Sequence, residues 1–133
     1  MKKSGVLNAP LSKLIASMGH SDKLVICDSG LPIPNNAEII DLAVTNGIPK
    51  LIDVLKIILE ELHIEEAIVA EELQKSNNGV YDDISSLMNG TKISSIMHKE
   101  FKELYRNAKY VSFVRTGEDT PYANIILVSG VTF

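Results

Sequence analysis

Gly19-His20-Ser21-Asp22-Lys23-Leu24-Val25-Ile26-Cys27-Asp28-Ser29-Gly30-Leu31-Pro32-Ile33-Pro34 is the stretch around which the rest of the chain is read. Leu24 to Cys27 is an unbroken apolar run, the pattern of a strand covered on both faces rather than one alternating against water. Asp28 stands at its carboxyl end. Pro32 and Pro34 fix φ and lack amide donors, so the loop that follows continues neither as strand nor as helix. His20 lies before the strand, just past the end of a preceding helix. In open α/β sheets the crevice outside the carboxyl ends of the strands is where ligands bind, and histidine changes charge near neutral pH. The stretch therefore predicts proton-transfer chemistry on a small polar molecule.

Upstream, Leu11, Leu14, Ile15 and Met18 recur at helical spacing. Asn8 or Ser4 suits the cap, Pro10 the first turn, and Gly19 a left-handed exit. Downstream, strands are expected over 39–44, 67–70, 93–97, 111–114 and 124–131. Helices alternate with them: one opened by Pro49 with Ile52, Leu55, Leu59 and Leu62 as its buried stripe, one carrying Ile84, Leu87 and Met88, and one carrying Phe101, Leu104 and Tyr105. This alternation predicts a three-layer α/β/α sandwich with a largely parallel, mixed central sheet. The last two strands, joined by the loop from Thr116 to Pro121, are expected to be antiparallel. With no repeat, linker or low-complexity segment, residues 1–133 read as a single domain.

Composition narrows the function classes. With 133 residues, 45% hydrophobic and 23% charged, the chain is long enough for a sizeable core and ordinary for a globular protein. Thirteen basic against seventeen acidic residues, without a dense Lys/Arg run, argue against nucleic acid as a partner. The lone Cys27 rules out an internal disulfide and predicts a reducing, cytoplasmic setting. The segment after Lys2 and Lys3 is interrupted by Asn8, Pro10, Ser12 and Lys13, so it lacks a signal-peptide core. No apolar run approaches the roughly 20 residues that span a bilayer, so no membrane insertion is expected.

Each polar candidate has a plain structural explanation beside a chemical one. His63, at a helix end, suits the helix dipole and is set aside; His20 has the same bland explanation. Asp28 suits a turn cap. His98 suits a helix start, with Lys102 one turn along the same face. Tyr122 suits packing and Asn124 a turn. Yet His20, Asp28 and His98 each fall at the end of an element, as a pocket at a sheet edge requires. Pro121-Tyr122-Ala123-Asn124 adds a phenol and an amide suited to sugar hydroxyls. There is no glycine-rich phosphate loop, no nucleophile elbow, and no second placed carboxylate of the kind glycoside hydrolysis uses. Two histidines and an aspartate also form a known metal-ligand set, but they are scattered in sequence, and neither metal nor cofactor is expected.

Several segments together resemble the family of ribose pyranases and fucose mutarotases. They are Met1-Lys2-Lys3-Ser4-Gly5-Val6-Leu7-Asn8, Met18-Gly19-His20-Ser21-Asp22, Asp28-Ser29-Gly30-Leu31-Pro32-Ile33-Pro34 and Ile40-Asp41-Leu42-Ala43-Val44. His98-Lys99-Glu100-Phe101-Lys102, the run from Arg115 to Asn124 and the closing Gly130-Val131-Thr132-Phe133 agree. The resemblance spans the chain, is weakest between Leu51 and Ile96, and favours the ribose type over the fucose type. It implies an isomerase that interconverts pyranose and furanose forms of D-ribose. It further implies His20 as proton donor, Asp28 and His98 as substrate contacts, and Tyr122, Ala123 and Asn124 as the segment holding the sugar; Lys102, on the same helix face as His98, is the candidate for a supporting role. It also implies a ring-type homo-oligomer, a decamer by that likeness, with sites at subunit contacts. The alternatives are a fucose-type mutarotase and a non-catalytic sugar-binding accessory protein.

Overall fold

The apolar run at 24–27 is the central strand it promises. In the computed structural model, which describes residues 1–133, the chain runs α1 (Ala9–Ser17), β1 (Lys23–Cys27), β2 (Glu38–Asp41), α2 (Leu51–Leu59), β3 (Ile64–Ala70), α3 (Glu71–Lys75), α4 (Val80–Met88), β4 (Lys92–Ile96), α5 (His98–Asn107), β5 (Val111–Arg115) and β6 (Ile125–Ser129). The six strands form one sheet in the order β2-β5-β1-β6-β3-β4. Leu24 and Ile26 point into a core shared with α1, α2 and α4, and Val25 and Cys27 into a second core under α5. All four are 0% exposed, as an unbroken apolar strand between two helical layers must be. This is the three-layer α/β/α sandwich expected.

Strand direction decides where the polar residues go. β5 runs parallel to β1 and β2, and β4 parallel to β3, whereas β6 is antiparallel to both β1 and β3. Five strands therefore end at one edge of the sheet, and β6 alone starts there and ends at the other. Asp28, the loop after β5, His98 and Asn124 gather at the carboxyl edge. His20, which precedes β1, lies at the opposite edge, beside the end of β6.

The structure refines the sequence expectations at five points. First, β5 and β6 do run in opposite directions but are not paired, because β1 lies between them; their connecting loop must cross the end of β1, which brings it over Asp28. Second, the buried stripe of α2 is Leu51, Val54, Leu55 and Ile58, with Ile52 and Leu59 only half-buried. Apolar residues so dense fit two phases of a 3.6-residue period, and only the partner surface selects one. Third, β2 stops at Asp41, whose carboxylate forks onto the guanidinium of Arg115 across the strand pair and accepts from Ala43 N at 3.1 Å. Fourth, the left-handed residue after α1 is Ser21 (φ 68°), not Gly19. Gly19 N instead donates to Asp22 Oδ2 at 2.7 Å. Fifth, the one-turn helix α3, with Leu73 as its buried residue, carried too little apolar signal to be read. The cap of α1 is as expected: Asn8 Oδ1 accepts from Leu11 N at 2.9 Å. No helix is long and apolar enough to cross a membrane.

Candidate active site

At the carboxyl edge, the loop after β5 is fastened to the end of β1 before it reaches the site. Thr116 N and Oγ1 both donate to Cys27 O, at 3.0 and 2.8 Å. Glu118 N donates back to Thr116 Oγ1 at 3.1 Å, and Glu118 O accepts from Ser29 N at 3.0 Å. The Glu118 carboxylate, only 3% exposed, accepts from Leu51 N at the start of α2 and from Thr120 N, each at 3.1 Å. Burial alone would raise this carboxyl, but the hydrogen bonds from Thr120 and Leu51 and the charge of Lys50 outweigh it and hold it below the usual value. Sequence reasoning missed Glu118, because its chief partner lies 67 residues away and no local pattern announces such a bond.

Gly117 makes this fastening possible. Its N donates to Pro49 O at 2.9 Å and its O accepts from Gly47 N at 2.5 Å. A Cβ here would collide with the carbonyl oxygens of Ile48 and Thr45, which are backbone and cannot swing aside. Gly117→Ala is therefore expected to destabilise the fold by about 1–3 kcal/mol, the range for overpacking. A lowered urea midpoint with unchanged m-value would register it.

Asp28 is held on three sides. Asn124, 0% exposed, accepts from Asp28 N through Oδ1 and donates through Nδ2 to Asp28 Oδ2, both at 2.9 Å. Gly30 N donates to Asp28 Oδ1 at 3.0 Å. The amide that the sequence suggested for a sugar hydroxyl is thus engaged in aiming the Asp28 carboxylate. Each carboxylate oxygen keeps a lone pair for a ligand hydroxyl. The loop beyond Asp28 is tied down by Tyr105, whose OH donates to Pro32 O at 2.6 Å. Beneath it, Cys27 is an inert packing thiol, pushed up to about 12 by burial and then by the Asp28 charge.

Tyr122 adopts φ 65°, a conformation costly for an aromatic residue and characteristic of functional loops. It sets the phenol ring edge-on to the His98 imidazole, centroids 5.1 Å apart. Ala123, behind it, is fully buried, and its N donates to Thr120 O at 3.2 Å. His98 opens α5; its backbone N donates to Glu72 Oε2 at 2.8 Å. Burial, followed by the positive charge of Lys102 one turn on, lowers the His98 pKa from the usual imidazole value of 6.5, against the weaker pull of Glu72 and Asp28. Its buried Nδ1 has no hydrogen-bond partner. His98 is thus a neutral imidazole at pH 7, fit to accept or relay a proton. Asp28, Gly30, His98, Glu118, Thr120 and Tyr122 are among the walls of a polar hollow of about 400 Å³, the scale of a small-molecule site.

The lowered value has a consequence for stability. As pH falls, the unfolded chain protonates this imidazole first, so the native state loses stability between 6.5 and the lower folded value and regains none below it. Replacement by glutamine is expected to remove this loss. Urea midpoints of wild type and His98→Gln, compared above and below pH 6.5, measure it.

His20 is elsewhere. Its side chain is 55% exposed, with Nε2 at 3.1 Å from Glu65 Oε2. It lines a second hollow, also about 400 Å³, with His63, Ser129 and Phe133. The five residues of β1 separate it from Asp28, a strand length of roughly 16 Å. Within one chain His20 and Asp28 therefore cannot touch the same small molecule, and the trio considered as a metal set is not brought together.

The mixed sheet thus carries its polar hollow at the carboxyl edge of the strands, where open α/β sheets take up small molecules. The chain belongs to the RbsD / FucU transport protein family, which matches it over residues 1–132. A D-ribose pyranase of Geobacillus thermodenitrificans is 50% identical, covering 100% of this chain and 99% of its own. The solved structure of Bacillus subtilis RbsD complexed with D-ribose has a TM-score of 0.91 and 44% identity, covering 100% of both chains. A fucose mutarotase from Streptococcus pneumoniae, complexed with L-fucose, shares the fold with a TM-score of 0.79 at 24% identity, covering 96% of this chain and 95% of its own.

Proposed function

We infer that the chain is an isomerase that interconverts the pyranose and furanose forms of D-ribose by acid/base-catalysed ring opening and reclosure. The observation that carries this is the polar hollow at the carboxyl edge, in a chain alike over its full length to a protein complexed with D-ribose. The reaction passes through the open aldehyde. A base takes the anomeric hydroxyl proton while an acid protonates the ring oxygen; closure then uses a different chain hydroxyl. Only a C–O bond breaks and re-forms, so groups that exchange protons near neutral pH suffice.

In this reading Asp28 accepts hydrogen bonds from sugar hydroxyls, and Asn124 keeps it aimed. His98 contacts the sugar and relays a proton. Tyr122 and the backbone around Ala123 hold the ring, and Lys102 adds to the burial that keeps the His98 pKa low. His20 is the principal proton donor and reaches the hollow from a second copy of the chain, because its own hollow is at the other edge of the sheet. Such a contact joins two different surfaces and makes a ring where its rotation closes, in keeping with a ring-type homo-oligomer that has its sites at subunit contacts. The buried, reduced Cys27 supports a cytoplasmic setting.

Saturation-transfer NMR of D-ribose, with and without protein, tests the assignment. Faster exchange between pyranose and furanose signals is expected; ribose binding without faster exchange would reduce the chain to a sugar-binding accessory. The same measurement on L-fucose separates the mutarotase alternative.

A further inference from the structure

Two local departures from regular backbone converge at the edge of the sheet opposite the sugar hollow. In β3 the register slips: Ile64 stands opposite Ser129 and Glu66 opposite Val128, leaving Glu65 as the extra residue of a bulge. A bulge re-aims the side chain it carries and is common beside active sites. On the other side of β6, Ser21 takes φ 68°, unusual for a residue with a Cβ. It is held there by Ser21 N donating to Ser129 O at 2.8 Å and Ser129 N donating to Asp22 O at 2.9 Å. Between these two irregularities His20 Nε2 lies 3.1 Å from Glu65 Oε2. Gly130 lies behind the pair: a Cβ there would crowd the His63 ring at 2.9 Å and meet Glu65 Cβ only at 3.4 Å.

We propose that Glu65 is the positioning residue of the acid–base histidine, accepting the Nε2 proton of His20 in a hydrogen bond and leaving Nδ1 to exchange a proton with the sugar. The proposal rests on the assignment of His20 as proton donor made above. When Nδ1 takes the anomeric hydroxyl proton, the imidazole becomes an imidazolium whose charge faces the Glu65 carboxylate. Nδ1 then gives that proton to the ring oxygen as the bond from the anomeric carbon to it breaks, and the imidazole is neutral again with Nε2–H still on Glu65; closure runs these transfers in reverse through a different chain hydroxyl. Glu65 itself neither gains nor loses a proton. An exposed pair of this kind contributes little to stability, so a bulge whose extra residue is Glu65, aimed at His20, points to a use in the reaction.

Glu65→Gln is half-exposed and isosteric, so the fold should stand. Its kcat for ribose ring exchange is expected to fall roughly tenfold, a part of the ~10²–10⁴ that a placed acid–base group supplies, with KM unchanged. In a His20→Ala background the same substitution should cost nothing further. The ¹⁵N shifts of His20 should move from a single Nε2–H tautomer to a mixture of tautomers. Losses that multiply independently with that of His20→Ala, or nitrogen shifts unmoved by Glu65→Gln, would overturn the proposal. If His20→Ala itself kept the full rate, the proton-donor assignment would fall while the nitrogen shifts still decided the pairing.

Discussion

His20→Ala should lower the catalysed ring-exchange rate by ~10²–10⁴-fold, the span attributed to a positioned general acid or base, while ribose binding survives. The expectation follows from where the two half-sites lie. Asp28, its Asn124 clamp, His98 and Tyr122 all belong to one edge of one chain. Truncating a half-exposed side chain at the other edge leaves that hollow intact. The loss should thus appear in kcat with KM little changed, the pattern of a group that acts only as bonds to hydrogen are made and broken. Circular dichroism and the melting temperature should be nearly those of wild type, since surface substitutions usually stay within about 0.5 kcal/mol. Asp28→Asn provides the contrast. Gly30 N and Asn124 Nδ2 each require an oxygen at residue 28; a carboxamide offers one, leaving a donor facing a donor at a cost of about 1–3 kcal/mol. That variant should lose binding, rate and some stability together. Equal ring-exchange rates for His20→Ala and wild type would end the assignment of His20.

The fold and both half-sites differ in how far they could be read from the chain. A continuous apolar strand, a proline-locked loop and helical stripes are local patterns, and they correctly yield β1, the layers and the position of Asp28 at a carboxyl edge. His20 was also legible as a residue at the amino end of β1, opposite Asp28; what depended on the antiparallel insertion of β6 between β1 and β3 was that Ser129 and Glu65 stand beside it, a matter of topology that no window of sequence contains. The same holds for the phase of α2, since Leu51, Ile52, Val54, Leu55, Ile57, Ile58 and Leu59 satisfy more than one stripe until the sheet selects one. Glu118 and the Asn124 clamp depend on partners 67 and 96 residues away. Glu65 depends on a bulge, a one-residue slip that leaves no compositional trace. What remained hidden is therefore of one kind: contacts, packed or hydrogen-bonded, whose two ends only the tertiary fold brings together.

A second large effect should come from mixing two dead variants. If His20 serves the hollow of a neighbouring copy, His20→Ala and Asp28→Asn subunits are each nearly inactive alone, because every site lacks one of the two groups. Refolded or co-expressed together at equal amounts, about a quarter of the sites pair an intact His20 with an intact Asp28 across a head-to-tail contact, and activity should reappear at about that fraction. The recovery requires subunit exchange, so mixing already assembled proteins without unfolding should yield much less. Separated by the roughly 16 Å length of β1, the two groups cannot rescue each other within a chain, since each variant chain carries its own lesion. A mixture as inactive as its components, in the presence of demonstrated subunit exchange, would mean that His20 is not supplied by a neighbour. A mixture with recovered exchange would place the reacting sugar between two copies, with the carboxylate from one sheet edge and the imidazole from the opposite edge of the next.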